Sequence, residues 1–166
     1  MKDVTIFDNF INDDEIIEIN KMMGKLQWGI GYSLKNSNNT MLKMIIEEEH
    51  FKYKILNKLE NLTNKKFEIL RVYANGQNYV LDGEWHTDAE EYGSYTLLIY
   101  ISDINNNNIK QMGGYTHFVL YNIIISVEPY KKRAVFFDSR ILHKAVAPLN
   151  KDILRISIAF KLKEIK

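Results

Sequence analysis

Ile153-Leu154-Arg155-Ile156-Ser157-Ile158-Ala159-Phe160 alternates in character from one residue to the next. Successive side chains of an extended chain point to opposite faces, which puts Leu154, Ile156, Ile158 and Phe160 on one side and Arg155, Ser157 and Ala159 on the other. The pattern predicts a strand over Ile153–Leu162 whose second face carries a cation among small residues. If that face is covered, an unpaired guanidinium there costs several kcal/mol, so it calls for an anion, supplied either by an internal Asp or Glu or by a bound carboxylate.

The same β-prone texture recurs upstream, in Phe67–Ala74, Tyr95–Ser102, Tyr115–Leu120, Asn122–Val127 and Ala134–Asp138. Turn signals separate these runs: Asn75-Gly76, the Asn105–Asn108 run with Gly113-Gly114, Pro129, and Pro148-Leu149-Asn150. Before Lys66 the chain reads as helical. Asn12 followed by Asp13, Asp14 and Glu15 has the form of a capped start for a helix ending near Gly24, and Leu42, Ile45, Ile46, Ile55 and Leu59 suggest a second from about Met41 to Leu62. Lys35 to Thr40 reads as a polar loop. Six or more short strands after a helical lead-in predict a mainly β (α+β) sandwich or barrel with helices packed on one sheet. The expected organisation is one domain over residues 1–166, with a helical lead-in over 1–65 and a β core over 66–163.

A length of 166 residues suits one hydrophobic core better than two. Lys and Arg total 22 against 21 Asp and Glu, so no strong nucleic-acid signal arises from net charge. No apolar run approaches the roughly 18 to 20 residues that cross a bilayer, and the first residues lack a secretory pattern, which makes a cytoplasmic protein with no membrane partner the expectation. The absence of cysteine excludes disulfides, thiolate metal sites and thiol nucleophiles.

Candidate chemistry centres on Trp85-His86-Thr87-Asp88. His86 and Asp88, two positions apart, share a face if extended and can hold one ion. His143 lies 55 positions beyond Asp88, a separation that an antiparallel barrel can close. Two imidazoles and one carboxylate are the facial set of non-haem iron(II) oxygenases, and a hydrolytic zinc site can use the same three. Arg155 and Ser157 follow; beside the internal salt bridge, the functional reading is that they grip the far carboxylate of a dicarboxylate co-substrate.

The ordered set His86-x-Asp88, His143, Arg155-x-Ser157 resembles the iron(II)- and 2-oxoglutarate-dependent oxygenases, and Phe67 to Lys163 is similar to their prolyl 4-hydroxylase-like branch. Tyr73-Ala74-Asn75-Gly76-Gln77, Thr96 to Ser102, Gly113-Gly114-Tyr115-Thr116 and Phe136-Phe137-Asp138 extend the likeness. The resemblance implies a double-stranded β-helix, or jelly roll, of about eight main strands. It further implies iron(II) on His86, Asp88 and His143, and 2-oxoglutarate held by Arg155 and Ser157 with Tyr100, Tyr73 and Leu98 beside it. Ascorbate as reductant is a further expectation of that kind. The implied reaction is hydroxylation of a peptidyl, preferentially prolyl, side chain of a peptide or protein substrate, with release of succinate and carbon dioxide. Alternatives are a nucleobase or small-molecule oxygenase of the same superfamily, and a non-catalytic jelly-roll binding module.

Two departures from the pattern stand out. Tyr79 precedes His86 by seven positions, farther than is usual, and collagen-type members carry lysine where Arg155 stands. Substrate selection is expected from the loops Val80–Glu84 and Glu90–Ser94. His117 and His50 read as surface or half-buried residues. Trp85 reads as either core or rim of the substrate mouth.

Overall fold

The computed structural model describes residues 3–32 and 40–165. In chain order the elements are β1 (Val4–Phe7), α1 (Asp13–Met23), β2 (Gly29–Tyr32), β3 (Thr40–Ile45), α2 (Glu49–Thr63), β4 (Lys66–Gln77) and β5 (Ser94–Tyr100). After them come α3 (Ile109–Met112), β6 (Thr116–Leu120), β7 (Ile123–Val127), β8 (Ala134–Asp138), β9 (His143–Ala145) and β10 (Arg155–Ile165). A seven-stranded sheet runs β1-β8-β5-β10-β4-β3-β2, and a three-stranded sheet runs β7-β6-β9. All pairings are antiparallel. The larger sheet faces the helices on one side and the smaller sheet on the other, which is the expected double-stranded β-helix.

The decisive strand is β10, at the centre of the large sheet between β4 and β5. Ile158 and Phe160 enter the core beneath the helices with Leu97, Ile99, Val72 and Ala74, and Ile16, Ile19, Ile55 and Leu59 close it from above. Arg155, Ser157 and Ala159 face the opposite way, into a cavity between the sheets. Opposite Lys161/Leu162 the pairing with β4 slips by one residue. This bulge lets Phe67 and Ile69, before it, share the helix side with Val72 and Ala74, after it.

Helix α1 starts as its sequence predicts. The Asn12 side chain accepts from the Glu15 backbone N–H at 2.9 Å, and Glu15 accepts from the Asn12 N–H at 2.8 Å. The other carboxylate contact of Glu15 is Lys58 on α2, at 2.7 Å, which ties the two helices together.

The helical lead-in needs correction. Three strands arise from it, and the expected helix over Met41–Leu62 divides into β3 and the shorter α2. The twelve-residue β4 leaves an edge beside β10, and residues 42–45 fill it in register with Gly76 to Tyr73. Period-two burial then wins over helical spacing: Met44 and Ile46 are buried in the core while Met41 and Lys43 line the cavity. Ten strands stand among the described residues, where about eight main ones are expected. Of the polar loop expected over Lys35–Thr40, residues 35–39 lie outside the described residues and Thr40 opens β3.

Candidate metal centre

His143 opens β9, and an isolated antiparallel bridge joins it to His86. The segment 83–88 is therefore extended without being a named strand. It runs along the free edge of β9 through Gly83 N–H to Ala145 O, reciprocal bonds between His86 and His143, and Asp88 N–H to Ser139 O. Those backbone bonds bring the three distant residues to one point. One ligand atom from each of His86, Asp88 and His143 lies within 4.8 Å of the others. Asp88 Oδ1 is 3.7 Å from His86 Nε2, and Asp88 Oδ2 is 3.5 Å from His143 Nε2.

The hydrogen bonds around the rings decide which nitrogen is free. His86 Nδ1 lies 2.8 Å from the Glu84 carbonyl oxygen, and His143 Nδ1 lies 2.8 Å from that of Ile141. A carbonyl only accepts, so each Nδ1 carries the proton and each Nε2 presents a lone pair inward. Burial pushes the His143 imidazole down to about 4 despite the nearby Asp88 carboxylate, so the ring is neutral at pH 7. Burial alone would raise Asp88, but the Lys161 ammonium and His143 outweigh it and hold the carboxyl at about 2. Asp88 Oδ2 accepts from Thr96 at 2.7 Å and pairs with Lys161, which leaves Oδ1 as its open acceptor. Two imidazoles and a carboxylate fixed in this manner suit a divalent transition metal.

From this centre a cavity of about 370 Å³ reaches to Arg155, and Tyr73, Leu98, Ser157, Ala159 and Lys161 are on its wall. Arg155 is 1% exposed, among the most enclosed side chains of the protein. Its Nε donates to Gly114 O at 2.6 Å and its Nη2 to Thr116 Oγ1 at 2.8 Å. Among the described residues it has no carboxylate partner, so the internal salt bridge left open by the sequence is absent. Burial pushes its pKa down, and guanidinium nevertheless stays charged at neutral pH. Gly114 has φ +79°, and a Cβ there would sit 3.1 Å from Arg155 Cδ, so glycine is needed both for the turn and for the close approach.

Of the expected residues, His86, Asp88, His143, Arg155, Ser157, Tyr73 and Leu98 share this cavity. Tyr100 does not line it. Its hydroxyl donates to Thr116 Oγ1 at 2.8 Å and its ring centre is 5.4 Å from the Arg155 guanidinium carbon, so it positions Arg155 rather than touching the cavity. Gly83 and Glu84 border the cavity, whereas residues 90–94 turn away from it, with Glu91 paired to Lys163 and the Gly93 carbonyl bonded to Glu164. Trp85 is 37% exposed and so not core; it stacks on half-buried His117, their centres 6.4 Å apart. His50 is exposed on α2. Thr96 and Thr116 were not legible as site residues, because nothing local distinguishes a strand threonine that bonds Asp88 or Arg155 from one that merely fills a face.

Two antiparallel sheets enclosing a two-histidine, one-carboxylate cluster define a double-stranded β-helix with a candidate facial metal centre. No family model matches the sequence, and no curated protein does. Solved structures share the fold. A 2OG-Fe(II) oxygenase family oxidoreductase from Burkholderia pseudomallei superposes with a TM-score of 0.76 at 10% identity, over 96% of this chain and 85% of its own. A Trichoplax adhaerens prolyl hydroxylase, solved with a hypoxia inducible factor peptide fragment, gives 0.71 at 15% identity over 97% and 83%. HygX from Streptomyces hygroscopicus, solved with nickel, 2-oxoglutarate and hygromycin B, gives 0.72 at 10% identity over 98% and 83%. At such identities the likeness is one of fold.

Proposed function

We propose that this protein is an iron(II)- and 2-oxoglutarate-dependent dioxygenase that hydroxylates a peptidyl, preferentially prolyl, side chain. The observation that carries the reading is Arg155: a fully buried guanidinium with no carboxylate partner among the described residues, opening into the same cavity as His86, Asp88 and His143. A buried cation so placed favours an anionic ligand, and a dicarboxylate long enough to reach the metal centre supplies one. The proposed balance is substrate C–H, O₂ and 2-oxoglutarate going to C–OH, succinate and carbon dioxide.

Iron(II), when bound, supplies the activation of dioxygen that no amino-acid side chain provides. The chain's own residues do the positioning. His86 and His143 offer Nε2 lone pairs locked by their carbonyl-bound Nδ1 groups, and Asp88 offers Oδ1 while Thr96 and Lys161 hold Oδ2. Arg155, backed by Thr116 and Tyr100, fixes the distal carboxylate of the co-substrate, with Ser157 at hand on the same face. Leu98 and Phe137 present apolar surface to the same space. The Trichoplax neighbour was solved with a peptide, which supports the peptidyl reading, and the hygromycin B bound to HygX keeps a small-molecule substrate as its rival.

Anaerobic addition of iron(II) and then 2-oxoglutarate is expected to produce a visible charge-transfer band that His143→Ala abolishes. A native protein giving no band overturns the oxygenase reading and favours a binding module. Oxygen-dependent succinate release stimulated by a proline-containing peptide, and not by a methylated oligonucleotide or an aminoglycoside, is the expected substrate result.

A further inference from the structure

Three cations surround the Tyr73 ring on the cavity wall. Lys43 Nζ lies 4.2 Å from the ring centre, the Arg71 guanidinium carbon 4.9 Å and Lys161 Nζ 5.7 Å. All four residues line the cavity that holds His86, Asp88 and His143. Lys161 is committed to Asp88 and Thr96. Among the described residues, neither Lys43 nor Arg71 has a carboxylate partner, and Glu84, on the same wall, pairs with neither. The residues outside the described set contain no Asp or Glu that could serve.

Like charges crowded around one ring repel, and the ring's electron-rich face offsets only part of that. Burial, then Arg71 and Lys161, push the Lys43 ammonium below its ordinary range. An anion bridging Lys43 and Arg71 removes the mismatch. The co-substrate proposed above is not that anion. Arg155 pairs with Gln77 while Lys161 pairs with Arg71, six positions further along the same two strands, which is roughly 20 Å at the usual rise. A five-carbon diacid that runs from Arg155 to the metal centre has both carboxylates engaged there, whereas the Arg71 side chain reaches open solvent at the cavity mouth.

We infer that the substrate is a peptide presenting an anionic side chain, a carboxylate or a phosphate, to Lys43 and Arg71 while its reacting residue faces the metal centre. The inference rests on the oxygenase reading and adds the substrate's charge to it. Lys43 on β3 and Arg71 on β4 come from neighbouring strands to the same ring, and a forked anion can accept from both.

The test uses short fluorescein-labelled peptides with one proline, flanked by glutamate, phosphoserine, glutamine or lysine. Binding is read by anisotropy under anaerobic conditions with iron(II) and 2-oxoglutarate present. The glutamate or phosphoserine peptide is expected to bind about tenfold more tightly than the glutamine peptide, the lysine peptide most weakly, and added salt should compress the series. Whichever anionic peptide binds more tightly identifies the anion. In a Lys43→Glu, Arg71→Glu protein the order should reverse in favour of lysine, while the visible band forms at the same 2-oxoglutarate concentration as in the parent. Equal binding of acidic and neutral peptides overturns the inference, as does an acidic preference that survives the double substitution. A band that weakens in the variant overturns it as well, because the pair would then serve the co-substrate. A parent protein that forms no band overturns the oxygenase reading, and the peptide ranking alone judges the cation pair.

Discussion

Strands β4, β5 and β10 present two faces with opposite physics. Toward α1 and α2 they offer Val72, Ala74, Leu97, Ile99, Ile158 and Phe160, all buried in one apolar cluster. Toward the small sheet they offer Tyr73, Asn75, Thr96, Leu98, Arg155, Ser157 and Lys161 around a cavity. Each of these side chains larger than alanine contributes about 1.5 to 3 kcal/mol when removed from water, and this stabilisation lets the second face carry desolvated charge and empty volume. Stability and site are thus separated by the thickness of a single sheet, and substitutions on the two faces should be separable in their effects.

The largest effect is expected from Leu59→Ala, which opens a cavity beneath α2 and should cost about 2 to 5 kcal/mol in urea unfolding. The iron and 2-oxoglutarate band per folded molecule should stay unchanged; a weakened band would break the separation. Next comes Arg155→Met. Binding of 2-oxoglutarate should fall roughly a hundredfold, about 2.7 kcal/mol, while the metal-free protein becomes no less stable, because an unpaired buried cation has been removed. Loss of stability instead would assign Arg155 to the fold.

Acid sensitivity is expected on both faces, from His143 and Asp88 at the metal centre and from Glu15 beneath the helices. Burial alone would raise Glu15, but the Lys58 hydrogen bond and the Asn12 N–H overcome it and hold the carboxyl below 4.5. Its contribution is therefore present above about pH 4.5 and is lost as pH falls further. Glu15→Gln should cost about 2 kcal/mol at pH 7 and less at pH 3, read by urea midpoints at the two values. The smallest effect is expected from Thr96→Val, which frees Asp88 Oδ2 from one donor. Iron(II) affinity should drop about tenfold with the urea midpoint nearly unchanged.

The alternation in β10 was enough to put Arg155 and Ser157 together on the face away from the core, and it did so because a strand's period of two is local geometry. The capped start of α1 was legible for the same reason, since Asn12 and Glu15 meet within a single turn. Residues 41–46 misread as helix because Leu42, Ile45 and Ile46 fit a helical spacing about as well as Met44 and Ile46 fit a strand. Only the exposed edge of β4, contributed by residues thirty positions later, decides between them.

The sequence by itself determined the residue types that can carry the chemistry, the face on which each β10 side chain falls, and the absence of any thiol. The tertiary structure decided that His86, Asp88 and His143 meet, through the backbone pairing of 83–88 with β9. It also decided that Arg155 hydrogen-bonds to the neutral Gly114 carbonyl and Thr116 hydroxyl, that Tyr100 works from behind Thr116, and that Lys43 and Arg71 share one ring. Side-chain direction within a strand is set over a few residues, whereas the partner a charge meets depends on which distant strands are hydrogen-bonded beside it.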